Sequence, residues 1–321
     1  MLQTTFDPLA SLDPDIAEFV RRSIAASSKF PPRESMTPAQ AREVAEQTRR
    51  QWAEGGPQMA STEDRKVPTM HGDLRIRIYR PKNRTGDGAF IYLPGGGWTL
   101  FSINTHDRLM REYADGAGLI VVGVDYSRAP EAKFPQPVEE IDEVFDWLLA
   151  HAADIGFAPD KLILGGDSAG GNITAATCIR RRDAGKSLPA GVVLNYGAFD
   201  LSFTKSSVVK FGSGAYILST HMMLWFLMNY IRSPDDLKNP LLRPLLAPLA
   251  GLPPAFMAIT EFDVLYDENM EMAEALRAAG VDVTANVYRG TVHSFLEAMS
   301  IAEVSRRAIA DTCGWLRARV G

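Results

Sequence analysis

The segment Lys161-Leu-Ile-Leu-Gly-Gly-Asp-Ser-Ala-Gly-Gly171 decides the fold. Its opening apolar run reads as a buried strand, and Ile173, Ala176 and Thr177 downstream lie at helical spacing. Between them, Gly166-Asp167-Ser168-Ala169-Gly170 fits the pattern G-x-S-x-G. The pattern alone is weak; the strand before it and the helix after it carry the information. A serine at so tight a turn takes strained backbone angles and tolerates no bulky neighbours, which accounts for Gly166 and Gly170. The turn lifts the Ser168 hydroxyl above the sheet and points the Ala169 N–H at the substrate, at a helix N-terminus with its positive dipole. The bland alternatives are a serine-capped helix or a phosphate loop. The latter would need Gly-Lys-Ser/Thr, which the segment lacks.

A second glycine-rich turn lies upstream. Leu93-Pro94-Gly95-Gly96-Gly97-Trp98 directly follows the apolar run Ala89–Leu93. Three consecutive glycines let backbone N–H groups approach a ligand with no side chain in the way. Two such donors, together with that of Ala169, would hold an oxyanion developing on a carbonyl. Dinucleotide binding is not indicated, because Trp98, Thr99 and Leu100 break the G-x-G-x-x-G spacing.

A nucleophilic serine needs a histidine as base and a carboxylate to fix that histidine's tautomer. His71 precedes the turn at Gly72 and His151 ends an amphipathic helix, so both read as surface. His106 fits a helix start, and His221 falls in an inserted helical segment. His293, in Arg289-Gly-Thr-Val-His-Ser-Phe295, follows the last alternating strand (Val283, Ala285, Val287) and is the candidate base. The stretch Ala255–Asp267 offers Glu261, Asp263 and Asp267 as the acid. Glu261 sits barely past a strand and Asp267 suits the N-cap of the next helix, which leaves Asp263. Asp167, beside the serine, reads as a brace for the turn.

Around these motifs the chain alternates strands and helices. Leu74–Tyr79 alternates apolar and basic residues, the mark of a half-exposed strand. Ala89–Leu93, Leu119–Val124, Leu162–Leu164, Val192–Leu194 and Ala255–Ile259 are short apolar runs suited to central parallel strands. Helical segments fall near His106–Ala117, Val138–Ala152, Ala169–Arg182, Glu268–Ala279 and Ala302–Arg319. The expected fold is α/β, a mostly parallel central sheet with helices on both faces. Residues 1–60 read as two helices, with Ile16, Phe19, Val20 and Ile24 on one face of the first and Thr37-Pro38 opening the second. The stretch 201–233 lacks a strand but holds a Met/aromatic helix, His221–Ile231. We expect residues 61–321 to form the catalytic domain. Residues 1–60 and the 201–233 insertion are expected to cap the carboxyl ends of the strands, where open α/β sheets bind ligands. Trp98, Tyr196, Phe199, Met222, Trp225 and Phe226 are the candidate pocket walls, apolar and suited to uncharged acyl and alcohol groups.

Composition closes off other classes. The 321 residues are 46% hydrophobic and 23% charged, as in globular proteins. The net charge of −5 shows no basic excess, so nucleic acid is not an expected partner. Cys178 and Cys313 lie far apart, which argues against a disulfide framework or cysteine metal site; neither a metal nor a cofactor is expected. The opening Met-Leu-Gln-Thr-Thr-Phe-Asp-Pro lacks a basic region followed by an apolar one, and no apolar run approaches the length of a membrane span. A cytoplasmic protein is expected.

The chain from about residue 60 to 320 resembles the hormone-sensitive-lipase-like (bacterial family IV) carboxylesterases of the α/β-hydrolase fold. The resemblance rests on Gly-Gly-Gly-Trp98, Asp125-Tyr126, Ala129-Pro130-Glu131, Gly-Asp-Ser-Ala-Gly-Gly171, Thr-Glu-Phe-Asp263 and His293-Ser-Phe295. It implies Ser168 as nucleophile, Asp263 and His293 completing a triad, and Gly96, Gly97 and Ala169 as oxyanion donors. It also implies a helical cap and a homodimer. The activity implied is hydrolysis of short- to medium-chain carboxylic esters through an acyl-enzyme. An amidase, carbamate hydrolase or lactonase could use the same triad; a non-catalytic receptor on this fold would lack the histidine that His293 supplies. Three positions depart from the family: Pro94 where histidine is usual, Ser127-Arg128 after Asp-Tyr, and Val264 where proline often follows the acid.

Overall fold

The computed structural model describes residues 7–321. The N-terminal stretch read above for an export signal lies for the most part outside the described residues. Eight strands, β1 (Ser61–Thr69), β2 (Gly72–Arg80), β3 (Ala89–Leu93), β4 (Ile120–Asp125), β5 (Leu162–Asp167), β6 (Gly191–Asn195), β7 (Ala255–Phe262) and β8 (Val283–Val292), form one sheet. Their order is β1-β2-β4-β3-β5-β6-β7-β8. The β1/β2 and β2/β4 pairs are antiparallel and every other pair is parallel. The central strands β3, β5 and β6 are buried along their whole length, which is why they read as unbroken apolar runs. In β1, Ser-Thr-Glu-Asp-Arg-Lys-Val-Pro-Thr, only Val67 is buried. This strand was not expected from its polar sequence; it forms because its charges ladder against β2, as in Arg77 Nε to Asp64 Oδ1 at 2.6 Å.

The helices are α1 (Pro14–Ser27), α2 (Pro38–Ala53), α3 (Asp107–Ala117), α4 (Gln136–Ala150), α5 (Ala152–Ile155), α6 (Ala169–Asp183), α7 (Ser206–Phe211), α8 (Thr220–Tyr230), α9 (Tyr266–Ala278) and α10 (Glu303–Val320). Asp13 caps α1 by accepting from Asp15 N, and Thr37 with Gln40 forms a capping box on α2. Alternate strand residues feed two cores. Ile91 and Leu93 pack with residues of α4, α6 and α9, while Phe90 and Tyr92 pack with α3, α10 and α1. Cys178 and Cys313 are buried, one in each core, and burial pushes both thiols up to about 12. Among the described residues, no helix is long and apolar enough to cross a membrane.

Asp267 lies inside the first turn of α9 rather than at its N-cap; its carboxylate accepts from Ser207 N at 2.8 Å and so ties α7 to α9. Its neighbour Glu268 is buried and accepts from Phe199 N at 2.6 Å, where the chain leaves the sheet for the insertion. Burial pushes Glu268 up from 4.5 to about 8. Because the folded value lies above the unfolded one, this group's contribution is fully present below pH 4.5 and lost as pH rises through about 8. We therefore expect Glu268→Gln to gain stability relative to the parent between about pH 5 and pH 9 in urea unfolding. A difference independent of pH would contradict this assignment.

Candidate active site

The end of β5 turns sharply into α6, and Ser168 sits on the turn with φ 53° and ψ −116°. Few side-chain-bearing residues hold such angles, and the neighbours show what enforces them. A Cβ on Gly166 or Gly170 would overlap the Leu93 carbonyl oxygen at the end of β3. The close approach of α6 to β3 therefore requires both glycines.

Ser168 Oγ lies 2.9 Å from His293 Nε2, and His293 Nδ1 lies 2.7 Å from Asp263 Oδ2. Asp263 follows β7 directly, and His293 follows β8 directly. The parallel β6/β7/β8 order carries both residues to the same end of the sheet as Ser168. Asp263 also accepts from Thr260 Oγ1 at 2.6 Å and from Leu265 N at 3.0 Å. Both of its oxygens are thus occupied as acceptors. That leaves the proton of the imidazole on Nδ1 and the lone pair of Nε2 facing the serine hydroxyl. Tyr196 packs edge-on against the imidazole at 5.1 Å and fixes its plane.

The glycine turn is braced without an imidazole at position 94. Tyr126 Oη donates to the Pro94 carbonyl at 2.7 Å. Gly95 N and Tyr92 Oη both donate to Asp167 Oδ1, at 2.9 and 2.8 Å. Burial opposes the charge on Asp167, but nearby His106 and these donors outweigh it and hold its pKa below the usual carboxylate value. Gly96 and Gly97 take φ 120° and 58°, and the Phe226 ring of α8 occupies the place of a Cβ on Gly97. The other departures are also absorbed locally: Ser127 N donates to Glu140 Oε2 at 2.9 Å, Arg128 Nη1 to the Phe101 carbonyl at 2.7 Å, and Ser207 Oγ to the Val264 carbonyl at 2.8 Å.

Gly96, Gly97, Ser168, Ala169 and His293 line one narrow cleft of about 50 Å³. It adjoins a chamber of about 400 Å³ walled mainly by α1, α2 and the segment joining them. Of the six expected wall residues, Trp98, Met222 and Phe226 line the cleft. The other three do not. Tyr196 is fully buried behind His293, and Phe199 is fully buried in the core with its ring against Gly197. Trp225 packs beside Phe226, ring centroids 5.3 Å apart, and does not line the cleft. Aromatic character and helical spacing do not distinguish a core position from a wall.

The sequence reading gave no site role to His106, Arg49 or Glu297. His106 precedes α3, but its ring is fully buried between Asp167 and Glu297. Arg49 of α2 points inward, with Nη2 donating to Ser294 Oγ at 3.1 Å and Nη1 lying 3.4 Å from Glu297 Oε2. Ala41, Ala45, Arg49 and Trp52 form the buried face of α2, so an arginine on that stripe was the available signal.

A family profile described as the alpha/beta hydrolase fold matches residues 90–297. The carboxylic ester hydrolase LipN of Mycobacterium tuberculosis is 36% identical over 273 residues, 83% of this chain and 72% of its own length. An ethyl acetate hydrolase of Pseudomonas putida is 32% identical over 91% of this chain and 94% of its own. Among solved structures, a hyperthermophilic esterase from Pyrobaculum calidifontis superposes with a TM-score of 0.90 at 33% identity, covering 96% of this chain and 98% of the other. The chain belongs to the hormone-sensitive-lipase-like family of α/β-hydrolases.

Proposed function

We propose that this protein is a serine carboxylesterase that hydrolyses short- to medium-chain esters of uncharged alcohols. The observation carrying the proposal is the unbroken relay from Ser168 Oγ through His293 to Asp263, at 2.9 and 2.7 Å, on the floor of a cleft lined by the two glycine turns. In the reaction Ser168 Oγ attacks the ester carbonyl while His293 Nε2 takes its proton. The N–H groups of Gly96, Gly97 and Ala169 receive the oxyanion. His293 then returns the proton to the departing alkoxide, leaving an acyl-enzyme and a free alcohol. Water, deprotonated by His293, attacks the acyl carbonyl and releases the acid and Ser168.

The alcohol must leave beside His293 Nε2, because that nitrogen protonates it. The larger chamber meets the cleft at Arg33, Arg49, Phe101, Ile217, Met222 and Ser294, next to His293, and in this reading it receives the alcohol. The narrow part under Trp98, Ala198 and Phe226 then takes the acyl chain. In this reading residues 1–60 and 201–233 form the cap and residues 61–321 the catalytic domain. A homodimer and a cytoplasmic site of action belong to the same reading; light scattering and cell fractionation test them.

The test is hydrolysis of 4-nitrophenyl esters from acetyl to dodecanoyl, with Ser168→Ala as the blank. Activity should peak among the short acyl chains and fall at the long end. Acetate esters of progressively larger alcohols should retain activity. Equal tolerance of long acyl chains would reverse the assignment of the two compartments. No hydrolysis by the folded protein would sink the esterase reading.

A further inference from the structure

The buried polar groups left unused by the hydrolytic steps converge on His106. Its Nδ1 lies 2.9 Å from Thr105 Oγ1. The Thr105 hydroxyl hydrogen is committed to the Ser102 carbonyl at 2.8 Å, so Nδ1 is the donor and carries a proton. On the other edge of the ring, Nε2 lies 3.4 Å from Asp167 Oδ1 and 3.4 Å from Glu297 Oε1. A bare lone pair there would face two carboxylate oxygens. A second proton on the ring converts that repulsion into attraction toward both.

The remaining groups around this centre fit a cation. Arg49 of α2 pairs with the other oxygen of Glu297 at 3.4 Å, and Tyr92 of β3 donates to Asp167. The Tyr196 hydroxyl is also buried, and the charge of Arg108 on α3 helps draw the Glu297 pKa down. Burial disfavours a charged His106, yet Asp167 and Glu297 outweigh it and raise its pKa above the ordinary histidine value. Burial raises the pKa of Glu297, against the pull of His106 and Arg49.

The two carboxylates belong to different halves of the site. Asp167 immediately precedes Ser168 and holds Gly95 N. Glu297 lies just beyond His293, and its partner Arg49 holds the Ser294 hydroxyl. We propose that His106 is a positioning residue, an imidazolium clamped between Asp167 and Glu297 that fixes the nucleophile turn against the loop carrying His293. Without it, two buried carboxylates must separate or take up a proton, and the serine–histidine geometry shifts with them.

The kinetic arm of the test rests on the esterase reading; the spectroscopic arm does not. Nitrogen-15 NMR of the intact protein should show His106 with both ring nitrogens protonated at a pH just above the ordinary histidine value of about 6.5. A neutral His106 ring at that pH overturns the proposal. His106→Gln should lower kcat by about 10²-fold while KM stays within about threefold, as expected of lost positioning rather than lost binding. Adding Glu297→Gln to His106→Gln removes one of the two carboxylates left facing each other and should recover about tenfold of the loss. A side chain that only filled space would show no such recovery. Parent-like kcat in His106→Gln, or a double variant no better than the single one, would overturn the clamp. Should His106→Gln fail to fold, the ring protonation state of the parent protein still decides.

Discussion

Ser168→Gly is expected to abolish ester hydrolysis and, in the same molecule, to increase stability. Loss of the hydroxyl removes the attacking atom, and triad serines of this kind carry about 10⁶-fold in kcat. The stability gain comes from the backbone. At φ 53° and ψ −116°, Ser168 occupies angles that cost a residue with a Cβ about 1–3 kcal/mol. Glycine takes such angles freely, and its greater freedom in the unfolded chain costs about 0.5–1 kcal/mol in return. The net expectation is a gain of about 1 kcal/mol, read by urea unfolding beside the loss of 4-nitrophenyl acetate hydrolysis. Stability at or below that of the parent would mean that the turn stores no strain.

Asp263→Asn should lower kcat by about 10⁴-fold while leaving substrate binding close to normal. The argument is one of proton placement. Asp263 accepts from three donors, His293 Nδ1, Thr260 Oγ1 and Leu265 N. An asparagine that keeps its oxygen toward Leu265 N presents its NH₂ to His293 Nδ1. The imidazole must then carry its proton on Nε2, facing Ser168, where it cannot accept the hydroxyl proton. The flipped asparagine sets an NH₂ against Leu265 N–H in a buried site, which is unfavourable. The favoured orientation therefore removes the general base with almost no change in shape. A loss below about tenfold would remove Asp263 from the orienting role.

The parts of this fold that the sequence made legible share a simple physical basis. Central strands buried on both faces read as apolar runs, so β3 was placed to the residue and β5 and β6 to within a few residues. The apolar face Ile16, Phe19, Val20 and Ile24 gave α1, and Thr37-Pro38 gave the start of α2. Ser168, Asp263 and His293 are brought together because each follows the end of a parallel strand, and that order can be read along the chain. What stayed hidden depends on contacts between distant segments. β1 is held by cross-strand charge pairs that its own sequence does not announce. Whether Tyr196 or Phe199 walls a pocket or fills a core depends on what packs on its other side. His106 looked like an ordinary helix start because its two carboxylate partners come from positions 167 and 297.

The burial of both cysteines has a practical consequence for labelling chemistry. Thiols react as thiolates, and with values near 12 only about one in 10⁴ of Cys178 or Cys313 would be ionised at pH 8, even before access is considered. Thiol-directed alkylating reagents and disulfide-forming oxidants should therefore pass over both cysteines of the folded protein. An electrophile that modifies it stoichiometrically under those conditions reports on the serine turn without a thiol background, and the appearance of thiol labelling marks the moment at which a core has opened.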